Sequence, residues 1–416
     1  MKLLVFESHP VQYYAPIYRE LDRICRSGGP HCIKVFYATD ASVKGHFDSG
    51  FRTRVAWDED LLEGYSSSVL HNEVGEPLKG FRSLCGKGVW SLLRSERPDA
   101  VMVTGFFYEF DWAVISSAIL LRIPIWFRAD TNDQAFERSF LKKTLRSWVY
   151  RVAYLILDRA VVRGMLNSEH FERHGLGKDR QIYSPHCVPD RFEKLTESQK
   201  VSLRNEVRNR LGIAENATLL LFCGKLQPKK NPGLLLEALA SMTETKRARF
   251  AVLYVGAGEL ECPLRTRVRE IAHANVVFAG FKNQTDLAPY YLASDVLVLP
   301  SRQMGETWGL VANEALLAER RLILSRHVGC HADFQQLPSV RVFDGSLSDF
   351  MSVLLRELPA AETTQGQREF MRRYSIEAAA QGIARAMGSH PSSPPVEPLN
   401  RNGSTDRLTE RCFRAS

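Results

Sequence analysis

The sequence predicts an α/β protein with two doubly wound, Rossmann-like domains. Strand-like runs alternate with helical stretches twice along the 416 residues. These runs are apolar throughout instead of alternating, which is typical of parallel strands covered by helices on both faces. A chain of this length also exceeds the size at which a single hydrophobic core usually stops growing, so two cores are expected.

Ten segments carry the strand pattern, five in each half of the chain. Those of the first half are KLLVF (2–6), IKVFYA (33–38), DAVMVTG (99–105), PIWFRA (124–129) and RAVVR (159–163). Those of the second half are TLLLFCG (218–224), FAVLYVG (250–256), NVVFAG (275–280), DVLVLPS (295–301) and RLILS (321–325). Between the halves lies the charged segment from Arg191 to Gly212, which contains no such run. It predicts a linker between two domains.

Composition and charge restrict the class of protein. Arg122 and Arg151 interrupt the longest apolar runs, so none approaches the ~18 residues of a membrane span. The N-terminal MKLLVF is too short for a signal-peptide core and predicts a buried strand in a cytoplasmic protein. The eight cysteines include no CxxC pair, so neither a zinc site nor a disulfide framework is indicated. The net charge of +8 favours anionic partners without distinguishing nucleotide sugars, lipid surfaces and nucleic acids.

The strongest functional signal lies in the stretch GETWGLVANEALLAERRLILS (305–325). It places Glu306 and Glu314 at the start of a predicted helix between two strand-like runs. Because this helix has few polar residues, Glu314 is expected to be mostly buried and to need hydrogen-bond donors. Sugar or ribose hydroxyls are suitable donors. The alternative is a surface glutamate paired with Arg320 or Arg321.

Two further features near this helix suit a diphosphate. The start of the helix offers free backbone amides, which bind anions. These amides belong to Thr307, Trp308, Gly309 and Leu310. Lys225 and Lys230 follow the run TLLLFCG and flank another predicted helix start, where two cations favour a bound diphosphate. The alternative for the lysines is a solvated loop.

Glycines follow two of the strand-like runs of the second half. Gly224 begins the lysine loop. After FAVLYV, Gly256 and Gly258 allow the backbone to approach a base or ribose, or else form only a tight turn. No GxGxxG follows the first strand, so a nicotinamide-binding domain is not expected there.

The first half of the chain contains weaker candidates. His9, beside a turn proline, is a candidate catalytic residue, with a structural role as the alternative. Arg128 and Asp130 lie at the end of PIWFRA, where a sugar of the acceptor or donor would be contacted, and a local ion pair or helix cap is the alternative. The triplet 58–60, Asp-Glu-Asp, imitates a metal-binding DxD motif, but no strand-like run ends there and a solvated turn is favoured.

These residues together carry a family resemblance. The loop Gly224–Leu226 with Lys230, the turn Gly256–Gly258 and the segment PSRQMGETWGLVANEAL resemble the C-terminal half of family 4 retaining glycosyltransferases (glycosyltransferase group 1), which have the GT-B fold. HPVQYYAPIYREL and SPHCVPDRF (184–192) also resemble members of that family. Many relatives have a Gly-rich loop after the first strand, whereas here Glu7–Tyr14 occupies that place. The sequence therefore leaves open how the first domain contacts the donor.

The resemblance implies transfer of a sugar from a nucleotide-sugar donor to a glycan or lipid-linked acceptor, with retained configuration, in bacterial cell-wall or surface polysaccharide synthesis. Lys225 and Lys230 would hold the donor diphosphate and stabilise the departing nucleoside diphosphate. Glu306 would lie beside the donor sugar, and Glu314 would bind the ribose hydroxyls. No metal or other cofactor is expected, because lysines and helix amides supply the charge stabilisation. A nucleic acid partner is not expected either.

The resemblance covers about residues 1–388 and implies a division of the chain. An acceptor-side N-terminal domain is expected over 1–195, a linker over 196–214 and a nucleotide-sugar-binding C-terminal domain over 215–375. Residues 376–388 are expected to form a helix that packs back on the N-terminal domain. The tail 389–416 gathers Pro, Ser and Asn, which predicts disorder.

The segment 136–160 predicts a membrane-facing surface. Basic residues alternate there with aromatic and aliphatic ones at helical spacing, which is typical of helices that rest on anionic lipid headgroups. The basic residues are Arg138, Lys142, Lys143, Arg146 and Arg151. Such a protein would be peripheral on the inner face of the plasma membrane. The alternative is an ordinary helix that packs on the sheet.

Other functions stay open at this stage. One is another enzyme of the GT-B fold, such as a nucleotide-sugar epimerase or a phosphorylase, although no pyridoxal-binding lysine site is identified. The other is a catalytically silent nucleotide-sugar-binding subunit. The presence of both Glu306 and Glu314 argues against a silent subunit.

Overall fold

The computed structural model has two α/β domains, as predicted, each built on a parallel sheet. It describes residues 1–43, 45–48, 50–51, 53–55, 60–70, 80–356 and 365–388. The tail 389–416, for which disorder is predicted, lies outside the described residues, as do Asp58 and Glu59 of the DxD-like turn.

The N-terminal sheet has seven parallel strands. The first two strands are β1 (Lys2–Glu7) and β2 (Cys32–Tyr37). A separate antiparallel hairpin follows, made of β3 (His46–Asp48) and β4 (Thr53–Val55). The sheet continues with β5 (Ser67–Val69), β6 (Ala100–Val103), β7 (Ile125–Arg128), β8 (Arg159–Val162) and β9 (Gln181–Tyr183). The order β5-β2-β1-β6-β7-β8-β9 reverses direction between β1 and β6, and the carboxyl ends of strands at such a switch point form a ligand-binding crevice.

Helices cover both faces of this sheet. The helices of the domain are α1 (Ala15–Gly28), α2 (Val89–Glu96), α3 (Glu109–Leu121), α4 (Phe140–Ala153) and α5 (Met165–Arg173), and all but α4 bury residues. Buried residues of α1 form one hydrophobic cluster with the sheet, and buried residues of α2, α3 and α5 form another on its opposite face. The strands are therefore buried on both sides, as their continuous apolar runs predict.

The C-terminal sheet has six parallel strands in the order β12-β11-β10-β13-β14-β15. They are β10 (Thr218–Cys223), β11 (Phe250–Val255), β12 (Asn275–Gly280), β13 (Val296–Leu299), β14 (Arg321–Ser325) and β15 (Val340–Phe343). The helices from the linker onwards are α6 (Glu197–Arg210), α7 (Gly233–Ala240), α8 (Glu244–Arg247), α9 (Glu261–Arg269), α10 (Ala288–Ala293), α11 (Val311–Leu317), α12 (His331–Phe334), α13 (Leu347–Leu355), α14 (Gln365–Met371) and α15 (Ile376–Gly388). Here the switch point lies between β10 and β13.

All ten predicted strands are present. The two sheets also contain three strands that were not predicted. The additional strands β5, β9 and β15 lie at sheet edges and have only three or four residues each. Their sequences, SSV, QIY and VRVF, are too short and too polar to display a continuous apolar run.

The segment 196–214 holds a helix that belongs to the packing of the C-terminal domain. Thr196 caps α6 by accepting a hydrogen bond from the amide of Gln199 at 3.3 Å. Arg204 and Arg208 of α6 bind the carboxylate of Asp295, at 2.7 and 3.3 Å. The connection between the domains is therefore structured and anchored beside β13.

The last described helix, α15, returns to the N-terminal domain. It packs along α1, where Ala379, Ala380 and Ile383 join the cluster formed by that helix. A Cβ at Gly382 would lie 1.7 Å from the carbonyl oxygen of Tyr183, so the helix approaches β9 closely only because this position is glycine. No helix among the described residues has the length and apolar character needed to span a bilayer.

Candidate active site

Two glycine loops lie side by side at the carboxyl ends of β10 and β11. The amide of Gly224 donates to the carbonyl of Val255, and the amide of Leu226 donates to that of Ala257, both at 2.9 Å. A Cβ at Gly256 would lie 2.0 Å from the oxygen of Gly224, and one at Gly258 would lie 2.4 Å from the oxygen of Leu226. These glycines are thus required by the contact between the loops, and contact with a donor stays a prediction.

Glu306 and Lys230 form a buried ion pair. Lys230 ends a single 3-10 turn, Pro228–Lys230, in the loop that leads to α7. Its Nζ lies 2.5 Å from Oε2 of Glu306, and Oγ of Ser301 donates to the same oxygen at 3.4 Å. The Glu306 side chain is only 9% exposed. A carboxylate and a lysine from two separate loops are therefore brought together.

A third lysine, Lys229, holds these two loops in place. Its Nζ donates to the carbonyl of Gly305 at 2.7 Å, and its own carbonyl accepts from the amide of Arg302 at 2.9 Å. Burial lowers the pKa of Lys229 below its usual value. The sequence does not predict this role for Lys229, because a lysine that bonds a backbone carbonyl leaves no sequence pattern.

Lys225 faces the N-terminal domain. Its Nζ lies 4.9 Å from the centroid of the Phe51 ring, which precedes β4. The Phe51 ring also meets the edge of Phe281, which follows β12, at a centroid distance of 4.9 Å. The hairpin region of the first domain therefore reaches the strand ends of the second, close to the predicted diphosphate lysine.

Glu314 is buried and forms no ion pair with any described residue. It lies on α11 with 8% of its surface exposed, and the hydroxyl of Tyr291 donates to its Oε2. Burial raises the pKa of Glu314 to about 7. The alternative of a surface ion pair is wrong, because Arg320 bonds the carbonyls of Ala318 and Ser294. The second arginine considered, Arg321, bonds the carbonyl of Asp295.

The residues before α11 present free amides. Within the described part of the chain, the amides of Thr307, Trp308, Gly309 and Leu310 donate to no backbone or side-chain acceptor. Gly309 has a φ of 101° and a Cβ there would lie 2.7 Å from Leu299, so this tight approach to β13 favours glycine. The buried Trp308 donates from Nε1 to Asn313 at 2.8 Å. Free amides at a helix start are suited to an anion, and binding of a diphosphate there stays a prediction.

The loop after β1 also reaches the C-terminal domain. Tyr13 packs against the C-terminal core, and its hydroxyl accepts from Nε2 of Gln284 at 3.4 Å. The neighbouring carboxylate of Glu314 adds to burial in raising the pKa of Tyr13. His9 lies earlier in this loop, with its Nδ1 2.9 Å from Oγ of Ser8. Sequence reasoning missed Tyr13, because only the fold brings it beside Glu314.

Arg128 is placed inside the N-terminal domain. Its side chain is 1% exposed and its Nη2 donates to Glu7 and to the hydroxyl of Tyr18. The local ion pair named as its alternative is therefore what the structure contains. Contact of Arg128 with a sugar stays a prediction that this geometry does not favour.

Asp130 lies closer to the boundary between the domains. It accepts from the hydroxyl of Tyr14 at 3.1 Å and lies 3.3 Å from Nε2 of His186 and 3.6 Å from Nε of Arg163. Burial opposes ionisation of Asp130, but His186 and Arg163 outweigh it and hold the pKa well below its usual range. The side chain is 35% exposed. Contact of Asp130 with an acceptor or donor sugar stays a prediction.

The domains meet along the strand ends of both sheets. The carbonyl of His186 accepts from Nδ2 of Asn313 at 3.0 Å, and its ring lies 4.9 Å from that of Trp308. Nδ2 of Asn132 donates to the carbonyl of Thr307 at 3.3 Å. The predicted site in the C-terminal domain is therefore bordered by loops of the N-terminal domain.

One group of possible metal ligands occurs among the described residues. Asp133, His170 and His174 place ligand atoms within 4.8 Å of one another. Asp133 already accepts hydrogen bonds from Arg146 at 2.8 Å and Arg173 at 2.7 Å, so two guanidinium groups occupy its carboxylate. The expectation of a metal-free site stays a prediction.

Comparisons with known proteins agree with this description. Residues 204–334 match the sequence model of a family described as glycosyl transferases group 1. A D-inositol 3-phosphate glycosyltransferase of Geodermatophilus obscurus is 42% identical over 121 residues, which are 27% of this chain and 26% of that protein. A lipopolysaccharide 1,2-N-acetylglucosaminetransferase of Salmonella typhimurium is 28% identical over 151 residues, 34% of this chain and 38% of that protein.

The sequence matches are partial, whereas a structural match extends over nearly the whole chain. The first three curated relatives are matched over 26, 28 and 43% of their length. The crystal structure of Anabaena Alr3699/HepE in complex with UDP and glucose superposes with a TM-score of 0.64 and 15% identity. That alignment covers 94% of this chain and 100% of the Anabaena chain. At this identity the likeness shows the fold alone, and it confirms the predicted two-domain GT-B architecture.

Proposed function

We propose, from the membership of residues 204–334 in the glycosyl transferases group 1 family, that this protein is a retaining glycosyltransferase. It moves a sugar from a nucleotide-diphosphate donor to a glycan or lipid-linked acceptor. The observation that carries the proposal is the buried pair of Lys230 and Glu306 beside the free amides that precede α11. That arrangement combines cationic and dipolar groups for a diphosphate with a carboxylate for the sugar.

Each charged residue has a distinct part in the proposed reaction. Lys225, Lys230 and the amides stabilise negative charge that grows on the leaving nucleoside diphosphate, without a metal ion. Glu306 lies beside the donor sugar, held by Lys230. Glu314 accepts hydrogen bonds from the ribose hydroxyls, and its single hydroxyl donor, Tyr291, supports this part because it leaves the carboxylate able to accept more.

The test is a search for the donor followed by an assay of transfer. Purified protein is mixed with UDP-, GDP-, ADP- and dTDP-sugars, and the donor is expected to raise the melting temperature because it binds only the native state. That donor is then incubated with and without a chelator, and slow hydrolysis in both is expected. Binding without hydrolysis or transfer to any acceptor indicates a silent binding subunit. Conversion of the sugar without release of nucleotide indicates an epimerase.

An acceptor of a bacterial cell surface is the finer part of the proposal. What supports it is the partial match to the Salmonella enzyme named lipopolysaccharide 1,2-N-acetylglucosaminetransferase. The helix α4 supports a position at a membrane, because none of its residues is buried. Large exposed apolar residues of α4 and the following turn are Phe140, Leu141, Leu145, Trp148, Val149, Val152 and Leu155. We therefore propose a peripheral protein on the cytoplasmic face of the plasma membrane.

The basic residues around α4 divide into two groups. Lys142, Lys143 and Arg151 are exposed, beside the apolar residues. Arg146 instead turns toward Asp133, 2.8 Å away, and its place in the predicted lipid-facing surface is wrong. The helix is attached through its partly buried Tyr150 and Ala153. An amphipathic surface with lysines next to apolar side chains is suited to anionic headgroups.

A further inference from the structure

Two consecutive tyrosines in the loop between β1 and α1 are held by different domains. The ring of Tyr14 lies 4.1 Å from Cζ of Arg128 and 4.6 Å from Cζ of Arg163, and its hydroxyl donates to Asp130 at 3.1 Å. All three partners belong to the N-terminal domain. Tyr14 is thereby fixed at the carboxyl edge of the N-terminal sheet, and Tyr13 extends from this anchor.

Tyr13 enters the C-terminal domain at the pocket of Glu314. It packs against the C-terminal core, and its hydroxyl oxygen accepts from Nε2 of Gln284 at 3.4 Å. Burial raises the pKa of Tyr13, and the neighbouring Glu314 carboxylate raises it further. Gln284 follows β12 and Glu314 lies on α11, both in the C-terminal domain.

Two polar atoms in this loop have hydrogen-bonding capacity that the protein does not use. Gln12 is 5% exposed, and its Oε1 is buried without a hydrogen-bond partner among the described residues. The Tyr13 hydroxyl accepts from Gln284, but within the described part of the chain it donates to no acceptor. A buried acceptor without a donor is costly, so an occupant that supplies the missing donor is favoured.

We propose that Gln12 and Tyr13 complete, from the N-terminal domain, the site that holds the nucleoside of the donor around Glu314. This inference rests on the proposed function, since it assigns Glu314 to the ribose. A ribose hydroxyl both donates and accepts hydrogen bonds. It would donate to Glu314 or to Gln12 Oε1, and it would accept from the Tyr13 hydroxyl. Because Tyr14 is anchored in the first domain, a bound nucleoside links the two domains.

The chemistry of these groups favours a nucleoside over a bare phosphate. Glu314 and Gln12 Oε1 are acceptors, and phosphate oxygens are acceptors as well, so neither would be satisfied by phosphate. The cations expected at the diphosphate, Lys225 and Lys230, lie in the loop after β10. Gln12 and Tyr13 should therefore act on the hydroxyls of the ribose and leave recognition of the diphosphate to the lysines.

The experiment measures dissociation constants of full-length protein by titration calorimetry. UDP, GDP and ADP are tested first on the wild-type chain, and failure of all three to bind contradicts the proposed function itself. The best binder and its 2′-deoxy counterpart are then tested on the variants. Tyr13→Phe and Gln12→Ala are each expected to raise the Kd of the ribonucleotide about 5- to 20-fold, as the loss of one such hydrogen bond does. Tyr13→Phe keeps the ring in place, so that variant is expected to fold.

The preference for ribose distinguishes direct contact from a structural effect. If the two residues contact the nucleoside, the ratio between the ribonucleotide and 2′-deoxynucleotide affinities should shrink in both variants. Tyr65→Phe is the matched control, because the Tyr65 hydroxyl is buried in the N-terminal domain and donates to the carbonyl of Leu61. This control should bind both nucleotides as the wild type does. Wild-type affinity and wild-type ribose preference in folded Tyr13→Phe and Gln12→Ala overturn the inference while leaving the proposed function intact.

Discussion

At the scale of single residues, two glutamates of one motif have opposite surroundings. Glu306 has a lysine at 2.5 Å, so its charge is compensated. Glu314, eight positions later, receives a hydrogen bond from Tyr291 and has no lysine or arginine within ion-pair distance among the described residues. Burial of Glu314 raises its pKa to about 7. The two residues therefore suit different tasks.

The lysines should affect turnover more than donor binding. If Lys225 and Lys230 stabilise charge that develops on the leaving diphosphate, Lys225→Ala and Lys230→Ala should each lower kcat about 100- to 1000-fold with a smaller change in donor Kd. Lys230→Ala should also lower the melting temperature more than Lys225→Ala, because it leaves Glu306 buried without its cation. Lys246→Ala, at an exposed position, is the control. Wild-type kcat in both folded variants contradicts the assignment.

Glu314 should make stability depend on pH. Its pKa in the folded protein, about 7, lies above the usual value of 4.5, so folding favours the protonated form. The stabilisation of the folded state by protonated Glu314 is fully present below pH 4.5 and is lost as the pH rises through about 7. Glu314→Gln cannot ionise, so at pH 8 it should be more stable than the wild type by up to about 3 kcal/mol, with little difference at pH 4. Urea denaturation of both proteins across this range measures the difference, and parallel pH profiles contradict it.

At the scale of elements, α4 differs from the other long helices of its domain. Helices α1 and α3 bury several residues against the sheet, whereas α4 buries none. It directs Trp148, Leu145 and neighbouring apolar residues to solvent, beside exposed lysines. An exposed apolar patch commonly marks an interaction site. The partner proposed for the α4 surface is an anionic lipid surface.

The charge and the apolar side chains of α4 should contribute separately to lipid binding. Wild-type protein should sediment with phosphatidylglycerol-containing vesicles and not with phosphatidylcholine alone, and high salt should release it. Lys142→Glu with Lys143→Glu should weaken this binding at least roughly 30-fold, since each basic residue near the surface contributes about 1 kcal/mol. Trp148→Ser should weaken it without changing its salt dependence.

A control with the same change in net charge separates local from general effects. Lys194→Glu, just before the linker, with Lys246→Glu, on α8, alters two exposed lysines outside α4. This double variant should sediment with anionic vesicles nearly as the wild type does. Equal losses in both double variants would mean that the overall charge of +8, and not the α4 surface, is responsible.

At the scale of the whole molecule, short polar contacts hold the two domains against each other. The carboxylate of Asp333, before the end of α12, accepts from the amide of Met165 with both oxygens at 3.1 Å. Met165 is the first residue of α5 in the other domain, so Asp333 supplies the helix cap that Gly164 cannot. The hydroxyl of Tyr374 donates to the same carboxylate at 3.1 Å. The strand ends that border the proposed site are thereby kept together.

Removal of this cap should loosen the contact between the domains. Asp333→Ala leaves the amide of Met165 and the hydroxyl of Tyr374 buried without an acceptor, and should cost about 2 to 3 kcal/mol of stability. Asp333→Asn keeps an acceptor oxygen and should cost about 1 kcal/mol. Ser346→Ala removes a cap of α13 within one domain and serves as the control. Thermal unfolding measures the stabilities, and small-angle scattering should show a larger radius of gyration only for Asp333→Ala.

The sequence by itself determined the elements whose signals are local. The ten long strands appear because a strand buried on both faces requires a continuous apolar run, and such a run is visible without the fold. The glutamate motif and the lysine loop could be predicted from the sequence as well, because each follows one of these apolar runs. The short edge strands were missed, because three or four residues paired on one side only do not require such a run.

Only the tertiary structure decided which side chains meet. Tyr13 and Gln284 are 271 positions apart in the sequence and meet because two domains face each other. Arg128 follows a strand end as a substrate-binding residue would, yet burial directs it to Glu7, and Arg146 of the basic helix turns inward to Asp133. Charge and periodicity identify which residues are charged or apolar. The partner of a charge depends on contacts between distant segments, which exist only after the chain has folded.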